Sequence, residues 1–333
     1  MSILEVDGLS VHLRTRRGLV HAVDDVSFTV EERETLAIVG ESGSGKSVTA
    51  RSIVGLFPQR LVHRRSGEVR FLGEDMLAAS ESRLTAIRGR HIGMVFQDPM
   101  SSLNPVLRVG NQVAEPLRRH LGMSRADSHA RSVELLGEVR IPNASQRVNS
   151  YPHEFSGGMR QRALIAAATA CRPKLLIADE PTTALDVTVE AEILALLKNL
   201  QSEHGMALIL VSHDLNVVSN VADTVAVMYA GQIVEYAPAQ ELFARPEHPY
   251  TEGLLGSIPS IERHHTVVRN QRLTAIPGAP PNAVSLPSTC RFAERCRYAT
   301  SDDACSSTMP TLREIRPGHW VRSAHPASER APT

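Results

Sequence analysis

"GESGSGKS", residues 40–47, follows the short apolar run "TLAIVG" (35–40) and opens a helical stretch. It meets the pattern G-x-x-x-x-G-K-[ST] in the strand-then-helix setting that gives the pattern its meaning. Glycines at 40, 43 and 45 let backbone N–H groups turn inward around phosphates, and the following helix directs its positive end at the same point. In that geometry Lys46 supplies charge to the β and γ phosphates of a nucleotide, and Ser47 offers a hydroxyl to Mg²⁺. A chance match in a chain this long is on the order of one per cent, which sets aside a plain flexible Gly-Ser turn.

The rest of the chain fits a carrier for such a loop. "HIGMVFQ" (91–97), "KLLIADE" (174–180) and "MALILVSHD" (206–214) are further apolar runs, as expected of parallel strands buried on both faces. Between them, "VTVEAEILALLKNLQSEHG" (187–205) places Ile193, Leu196, Leu197 and Leu200 at helical spacing and ends on Gly205. "SGEVRFLGEDM" and "TVAVMYAGQIVEYA" read as hairpins with glycine turns. The fold class is therefore α/β with antiparallel decoration. Near 255–260 the character changes, and "IPGAPPNAVSLPSTC" reads as linker and loop.

Of the 333 residues, 42% are hydrophobic, enough for one large domain and a smaller one. Lys plus Arg and Asp plus Glu both count 36, so broad electrostatic capture of nucleic acid is not expected. Glu5 and Asp7 interrupt any signal-peptide core, and the longest apolar stretches fall short of the roughly 20 residues that span a bilayer. A cytosolic protein is expected.

Two further stretches bear on chemistry. "LLIADE" ends an apolar strand in two carboxylates: Asp179 can hold Mg²⁺, while Glu180 can polarise an attacking water. "EFSGGMRQR" (154–162) places Ser156, Gly157 and Gly158 at the start of a helix, a second anion-binding helix end. One nucleotide needs one phosphate loop, so the second site is expected to serve a nucleotide held by another subunit.

This ordered set resembles the ATP-binding cassette (ABC) ATPases over at least residues 1–255. "GESGSGKS" matches their Walker A motif, "FSGGM" the signature, "LLIADE" the Walker B motif and "TALD" (183–186) the D-loop; "VFQDP" supplies Gln97 of the Q-loop and "VSHD" His213 of the switch. The resemblance implies a P-loop fold with a RecA-like core, an antiparallel β subdomain and a helical signature subdomain at about 100–170. It implies a cassette at 1–255 and a C-terminal extension at 256–333. It also implies ATP and Mg²⁺, with two cassettes sandwiching two ATP molecules head to tail. By resemblance, Gly40, Glu41, Ser42, Gly43, Ser44, Gly45, Lys46, Ser47 and Val48 hold the nucleotide. Ser47, Gln97 and Asp179 hold Mg²⁺, Glu180 is the general base, and His213 contacts the γ-phosphate. Ser156, Gly157, Gly158 and Asp186 act across the dimer. The family usually stacks adenine on an aromatic residue of the first strand; Leu13 occupies that position, giving up roughly 1 kcal/mol of stacking, and His12 is an alternative platform.

"FQDPMSSLNP", "YPHEFSGGMRQR", "RPEHPYTEGLL" and "IPGAPP" look like the ATPases of bacterial oligopeptide and dipeptide importers, a group that includes nickel, glutathione and opine importers. The resemblance implies two permease subunits, a second ATPase subunit and an extracytoplasmic solute-binding protein. It places the chain peripherally on the cytoplasmic face of the inner membrane, with the coupling-helix groove in "SSLNPVLRVGNQVAEPLRRH" (101–120). Exporter ATPases and soluble ABC ATPases are the rival readings. A DNA-repair ATPase needs a long coiled coil, and a translation factor two cassettes in one chain; neither pattern is present.

Three of the four cysteines lie in "CRFAERCRYATSDDAC" (290–305), spaced C-x₅-C-x₈-C. Some members of the importer subgroup hold an iron–sulfur cluster in this extension on four thiolates. Here the set comprises Cys290, Cys296 and Cys305, and the fourth position falls on Ser323, with His319 or His325 as nitrogen alternatives. Cys171 reads as an ordinary buried thiol. A [4Fe-4S] cluster, a zinc ion and no metal all remain open at this level.

Overall fold

The computed structural model describes residues 2–16, 18–57, 59–98, 102–183, 185–257, 275–299 and 304–330. Ala184 of "TALD", residues 99–101 of the importer-like stretch and 300–303 of the cysteine-rich stretch lie outside the described residues.

A mixed sheet forms the centre. Its parallel strands are β3 (Thr35–Val39), β6 (Ile92–Val95), β7 (Leu175–Asp179), β8 (Ala207–Ser212) and β9 (Thr224–Tyr229). The antiparallel ones are β10 (Gln232–Pro238), β11 (Arg313–Arg316) and β12 (His319–Val321), and the order is β11-β12-β10-β9-β3-β8-β7-β6. A second sheet, order β2-β1-β4-β5, is built from β1 (Ser2–Thr15), β2 (Gly18–Glu31), β4 (Val62–Phe71) and β5 (Glu74–Asp75).

The continuous apolar runs are continuous because both faces of the central sheet are covered. Leu175, Ile177, Ile209 and Val211 point to one side, into a core shared with the second sheet and helix α1 (Lys46–Ile53). Their neighbours Leu176, Ala178, Leu208 and Leu210 point to the other, under a helical layer. Helix α2 (Glu81–Ile87) joins the first core. The helical layer contains α3 (Val109–Leu121), α4 (Arg125–Glu138), α5 (Ala144–Arg147), α6 (Gly157–Thr169) and α7 (Val187–His204). Truncating one fully buried side chain, as in Leu208→Ala, is expected to cost about 2–5 kcal/mol. Helix α7 starts on an Asp186 cap, whose carboxylate accepts from the Val189 N–H at 3.0 Å, and ends on left-handed Gly205, where the sequence pattern places its end.

The tail returns to the central sheet. Val321 and Trp320 pair with Glu235 and Tyr236 of β10, so β11 and β12 extend the same sheet as the phosphate-loop strand. Residues 275–289 are irregular, as their proline content predicts. The two strands escape sequence reading because they are four and three residues long and carry charges rather than an apolar run. What fixes them is buried polar bonding. The Glu235 carboxylate accepts from the Glu247 N–H at 2.7 Å and the His248 N–H at 2.9 Å, and meets His319 Nε2 at 2.8 Å.

Candidate nucleotide-binding site

Strand register assembles the site. Val39 lies opposite Ser212, Val211 opposite Asp179, and Ala178 opposite Val95, so four neighbouring strands end along one line. The residues just beyond those ends are the 40–45 loop, His213, Glu180 and Gln97. In an open α/β sheet this carboxyl edge is where ligands bind.

The loop is held by steric necessity at two glycines. Gly40 sits at φ +150°, and a Cβ there would lie 2.1 Å from the Met228 carbonyl oxygen; Gly45, at φ +105°, would bring a Cβ within 2.4 Å of the Ala22 oxygen. No side chain fits either position. Lys46, buried at the start of α1, donates to the Gly40 and Glu41 carbonyls at 2.8 and 3.1 Å. Burial pulls its ammonium below the ordinary lysine value, while Glu180, Asp179 and Glu41 oppose that shift.

The metal-binding chemistry expected of Ser47 and Asp179 fits their surroundings. The Ser47 hydroxyl donates to Asp179 Oδ1 at 2.7 Å. The other oxygen, Oδ2, is buried without a hydrogen bond and lies 3.5 Å from the Arg51 guanidinium. Burial raises the Asp179 carboxyl above the usual range, against the Ser47 bond and the Arg51 charge. A buried oxygen lacking a hydrogen bond beside a hydroxyl is a ligand set that a hard divalent cation satisfies. Ser44 Oγ is likewise buried without a partner in the loop interior.

Glu180 is the hub of the remaining groups. Its backbone takes φ +47°, a left-handed conformation that costs a non-glycine residue about 1–3 kcal/mol. Its N–H donates to the Val211 carbonyl at 3.0 Å, which turns the side chain back over the strand ends. Gln97 Nε2 and Thr183 Oγ1 donate to Glu180 Oε2 at 2.8 and 2.9 Å. Lys46 Nζ lies 3.9 Å from Oε1, and His213 Nδ1 lies 3.7 Å from Oε2 on a largely exposed ring. The structure thus brings together Lys46, Ser47, Gln97, Asp179, Glu180 and His213.

Sequence reading missed Arg51 and Thr183 as partners of the two acids. Arg51 lies four residues after Ser47 on the same helix face, which was a usable signal.

The signature residues stand elsewhere, on the helical layer. Ser156 caps α6, its hydroxyl accepting from the Met159 N–H at 3.3 Å. Gly157 and Gly158 pack against Leu185 and Val189; a Cβ at Gly158 would lie 2.8 Å from Val189 Cγ1. At the other end, Leu13 is partly buried against the first core, alternating with core-facing Val11 and Leu9. His12 pairs across strands with His21, ring centroids 4.1 Å apart.

The cysteine extension does not fit a cluster. Cys290, Cys296 and Cys305 share one apolar core with Tyr229, Tyr250 and Phe292. Among the described residues, however, no group of three or more His, Cys, Asp or Glu side chains stands in metal-binding arrangement. The cavity beside Cys290 has a volume of about 10 Å³, room for roughly one water. His319, one of the two nitrogen alternatives beside His325, bonds Glu235 through Nε2 and lies 3.1 Å from Arg316 through Nδ1. Ser323 Oγ accepts from the His325 N–H at 3.0 Å. The expectation of a [4Fe-4S] cluster on these residues is therefore not supported.

Comparison with known proteins agrees with this architecture. Residues 23–183 match the model of the ABC transporter family, and residues 234–305 match that of the oligopeptide/dipeptide transporter C-terminal region. A peptide import ATP-binding protein of Brucella abortus (strain 2308) is 52% identical over 310 residues, 93% of this chain and 91% of the relative. The oligopeptide transport ATP-binding protein OppD of Bacillus subtilis (strain 168) is 50% identical over 321 residues, 96% of this chain and 88% of OppD. Among solved structures, the dimeric post-hydrolysis state of the ATP-binding cassette MJ0796 with ADP and Pi superimposes with a TM-score of 0.64 at 29% identity, covering 71% of this chain and 98% of that one. The chain is an ABC ATPase, and it belongs to those ABC transporter ATP-binding proteins that carry the oligopeptide/dipeptide transporter C-terminal region.

Proposed function

We propose that this chain is the ATP-hydrolysing subunit of an importer for peptides or related small solutes. In this reading it works with a second cassette, two permease subunits and an extracytoplasmic solute-binding protein, and sits on the cytoplasmic face of the membrane. Among the described residues no helix is long and apolar enough to cross a bilayer, so in this assembly the membrane path belongs to other chains. The observation that carries the reading is the meeting of Lys46, Ser47, Gln97, Asp179, Glu180 and His213 at one strand edge, in a chain whose tail matches the peptide-transporter extension.

Each residue then has a task. The loop at 40–45 and Lys46 bind the phosphates. Ser47, Asp179 and Gln97 would hold Mg²⁺, which would supply charge neutralisation on the phosphates. Glu180 takes the proton of the attacking water, and His213 approaches the γ-phosphate. In the structure Gln97 and Thr183 occupy the acceptor oxygen of Glu180. Two donors on Oε2 leave the other oxygen, Oε1, with acceptor capacity for the attacking water, so Gln97 and Thr183 orient the carboxylate without blocking it. Gln97 leads into the stretch proposed for the permease, which carries exposed Val106 and Leu107 and, on α3, one wall of a groove of about 380 Å³ shared with α2. Ser156, Gly157, Gly158 and Asp186 serve the nucleotide of the second cassette, and the chain divides functionally at about 255 into cassette and extension.

Glu180→Gln tests this. The amide keeps hydrogen-bonding capacity toward Gln97 and Thr183 but loses the base, so hydrolysis should fall about 10²- to 10⁴-fold with ATP binding retained. Wild-type turnover in that variant removes Glu180 as the base.

A further inference from the structure

Glu41 is the second residue of the phosphate loop, and each of its polar groups is committed. Its carbonyl oxygen accepts from Lys46 within the loop at 3.1 Å. Its N–H donates to the Tyr250 hydroxyl at 2.9 Å. Its carboxylate takes a two-pronged bond from Arg295: Nη1 to Oε2 at 2.8 Å and Nη2 to Oε1 at 2.9 Å. The last contact joins residues 254 positions apart.

Arg295 is itself fixed. It is buried, its Nε donates to the Pro277 carbonyl at 2.8 Å, and its Nη1 also reaches the Tyr229 hydroxyl at 3.3 Å. Its guanidinium carbon lies 5.7 Å from the Tyr229 ring centroid. Tyr229 in turn packs on Tyr250 and Phe292, with ring centroids 4.7 and 5.2 Å apart. A bidentate arginine–carboxylate pair with a buried guanidinium and a partly exposed carboxylate sets orientation as well as energy, and removing one partner leaves the other charge uncompensated.

We infer that Arg295 is a positioning residue of the nucleotide site: from the C-terminal extension it fixes Glu41, and with it the phosphate loop, in the form that receives ATP. Two physical effects act together. A glycine-rich loop has high conformational entropy when untethered, and this tether restricts it before nucleotide arrives. The Glu41 carboxylate would also stand as a bare negative charge beside the phosphates, and Arg295 neutralises it. The extension thereby becomes part of the ATP site. This inference rests on the reading of residues 40–47 as that site.

The test is ATP binding and steady-state hydrolysis by the purified full-length chain. Arg295→Ala should weaken ATP binding about ten-fold, raising KM with kcat within about two-fold. Arg295→Lys should recover to within about three-fold of wild type, since it keeps the charge without the fork. Glu41→Gln added to Arg295→Ala should weaken binding no further, because the two act as one unit. The emission of Trp320, the chain's single tryptophan, reports whether the extension keeps its native packing in each variant. Wild-type affinity in a folded Arg295→Ala chain, or losses that multiply between the two sites, would overturn the inference; should Arg295→Ala not fold, Arg295→Lys and Glu41→Gln carry the comparison. Lys46→Ala separates the two ideas. If it loses ATP while Arg295→Ala does not, the tether fails alone; if Lys46→Ala binds normally, the reading of the loop fails and the inference with it.

Discussion

His248 offers a prediction whose size follows from its surroundings. It caps helix α8 (Pro249–Gly256): its Nδ1 accepts from the Tyr250 N–H at 3.0 Å, and the same helix turn presents Tyr250 to the phosphate loop. The ring is buried, and this desolvation, with the Arg330 charge, pushes its pKa down to about 3, against one backbone hydrogen bond that raises it. In the unfolded chain the ring titrates near 6.5. Between those values the unfolded state binds a proton that the folded state refuses. Stability is therefore unaffected above the unfolded pKa, falls as pH drops below about 6.5, and stops falling below about 3. At about pH 5 the gap is about 1.5 units, or about 2 kcal/mol of stability lost relative to neutral pH. His248→Asn keeps a side-chain acceptor for the helix start but cannot titrate there. Urea unfolding of both chains at about pH 7 and about pH 5 should show a loss larger by about 2 kcal/mol in the wild type. Equal losses would mean that the ring is protonated in the folded state or solvated, and the argument from burial would fail.

Other outcomes follow from particular contacts. Gly158→Ala should destabilise the chain by about 1–3 kcal/mol through overlap with Val189, and Val189→Ala in the same chain should recover most of it; a neutral Gly158→Ala in thermal melts would show that α6 and α7 can part freely. Ser47→Ala removes the hydroxyl bonded to Asp179, so the Mg²⁺ concentration for half-maximal hydrolysis should rise about ten-fold; an unchanged Mg²⁺ requirement would exclude Ser47 as a ligand. Val106→Asp with Leu107→Asp places two charges on an exposed apolar surface and should reduce permease recovered with the tagged chain at least about five-fold. Undiminished recovery would put the docking surface elsewhere.

The catalytic edge was legible because its residues sit immediately after apolar runs. "LLIADE" and "LILVSHD" each carry the strand and its terminal polar group together, and "TLAIVG" carries the strand and the first glycine of the phosphate loop, so once parallel pairing is assumed the groups must converge. Local sequence says nothing comparable about contacts made by folding back. Arg295 meets Glu41 across 254 positions, and neither "FAERC" nor "GESG" names the other. The cysteine trio is a different case. Its spacing left a metal site open, and among the described residues no group of three or more His, Cys, Asp or Glu side chains stands in metal-binding arrangement, so a cluster is not supported.

Leu13 shows why alignment to a family position and local geometry can point different ways. Leu13 packs partly buried against the core that holds Leu9 and Val11. His12 meets His21 on the other side of the hairpin, and desolvation followed by the His21 charge lowers its pKa. The hairpin therefore presents a pair of adjacent imidazole rings, not one aromatic side chain. With base stacking carried by that pair, His12→Ala should weaken ATP binding several-fold with stability kept, and Leu13→Ala should lower stability without a matching loss of affinity. Measuring nucleotide affinity and unfolding on the same two variants separates a stacking surface from a core contact. A loss of affinity confined to Leu13→Ala would return the role to the family position.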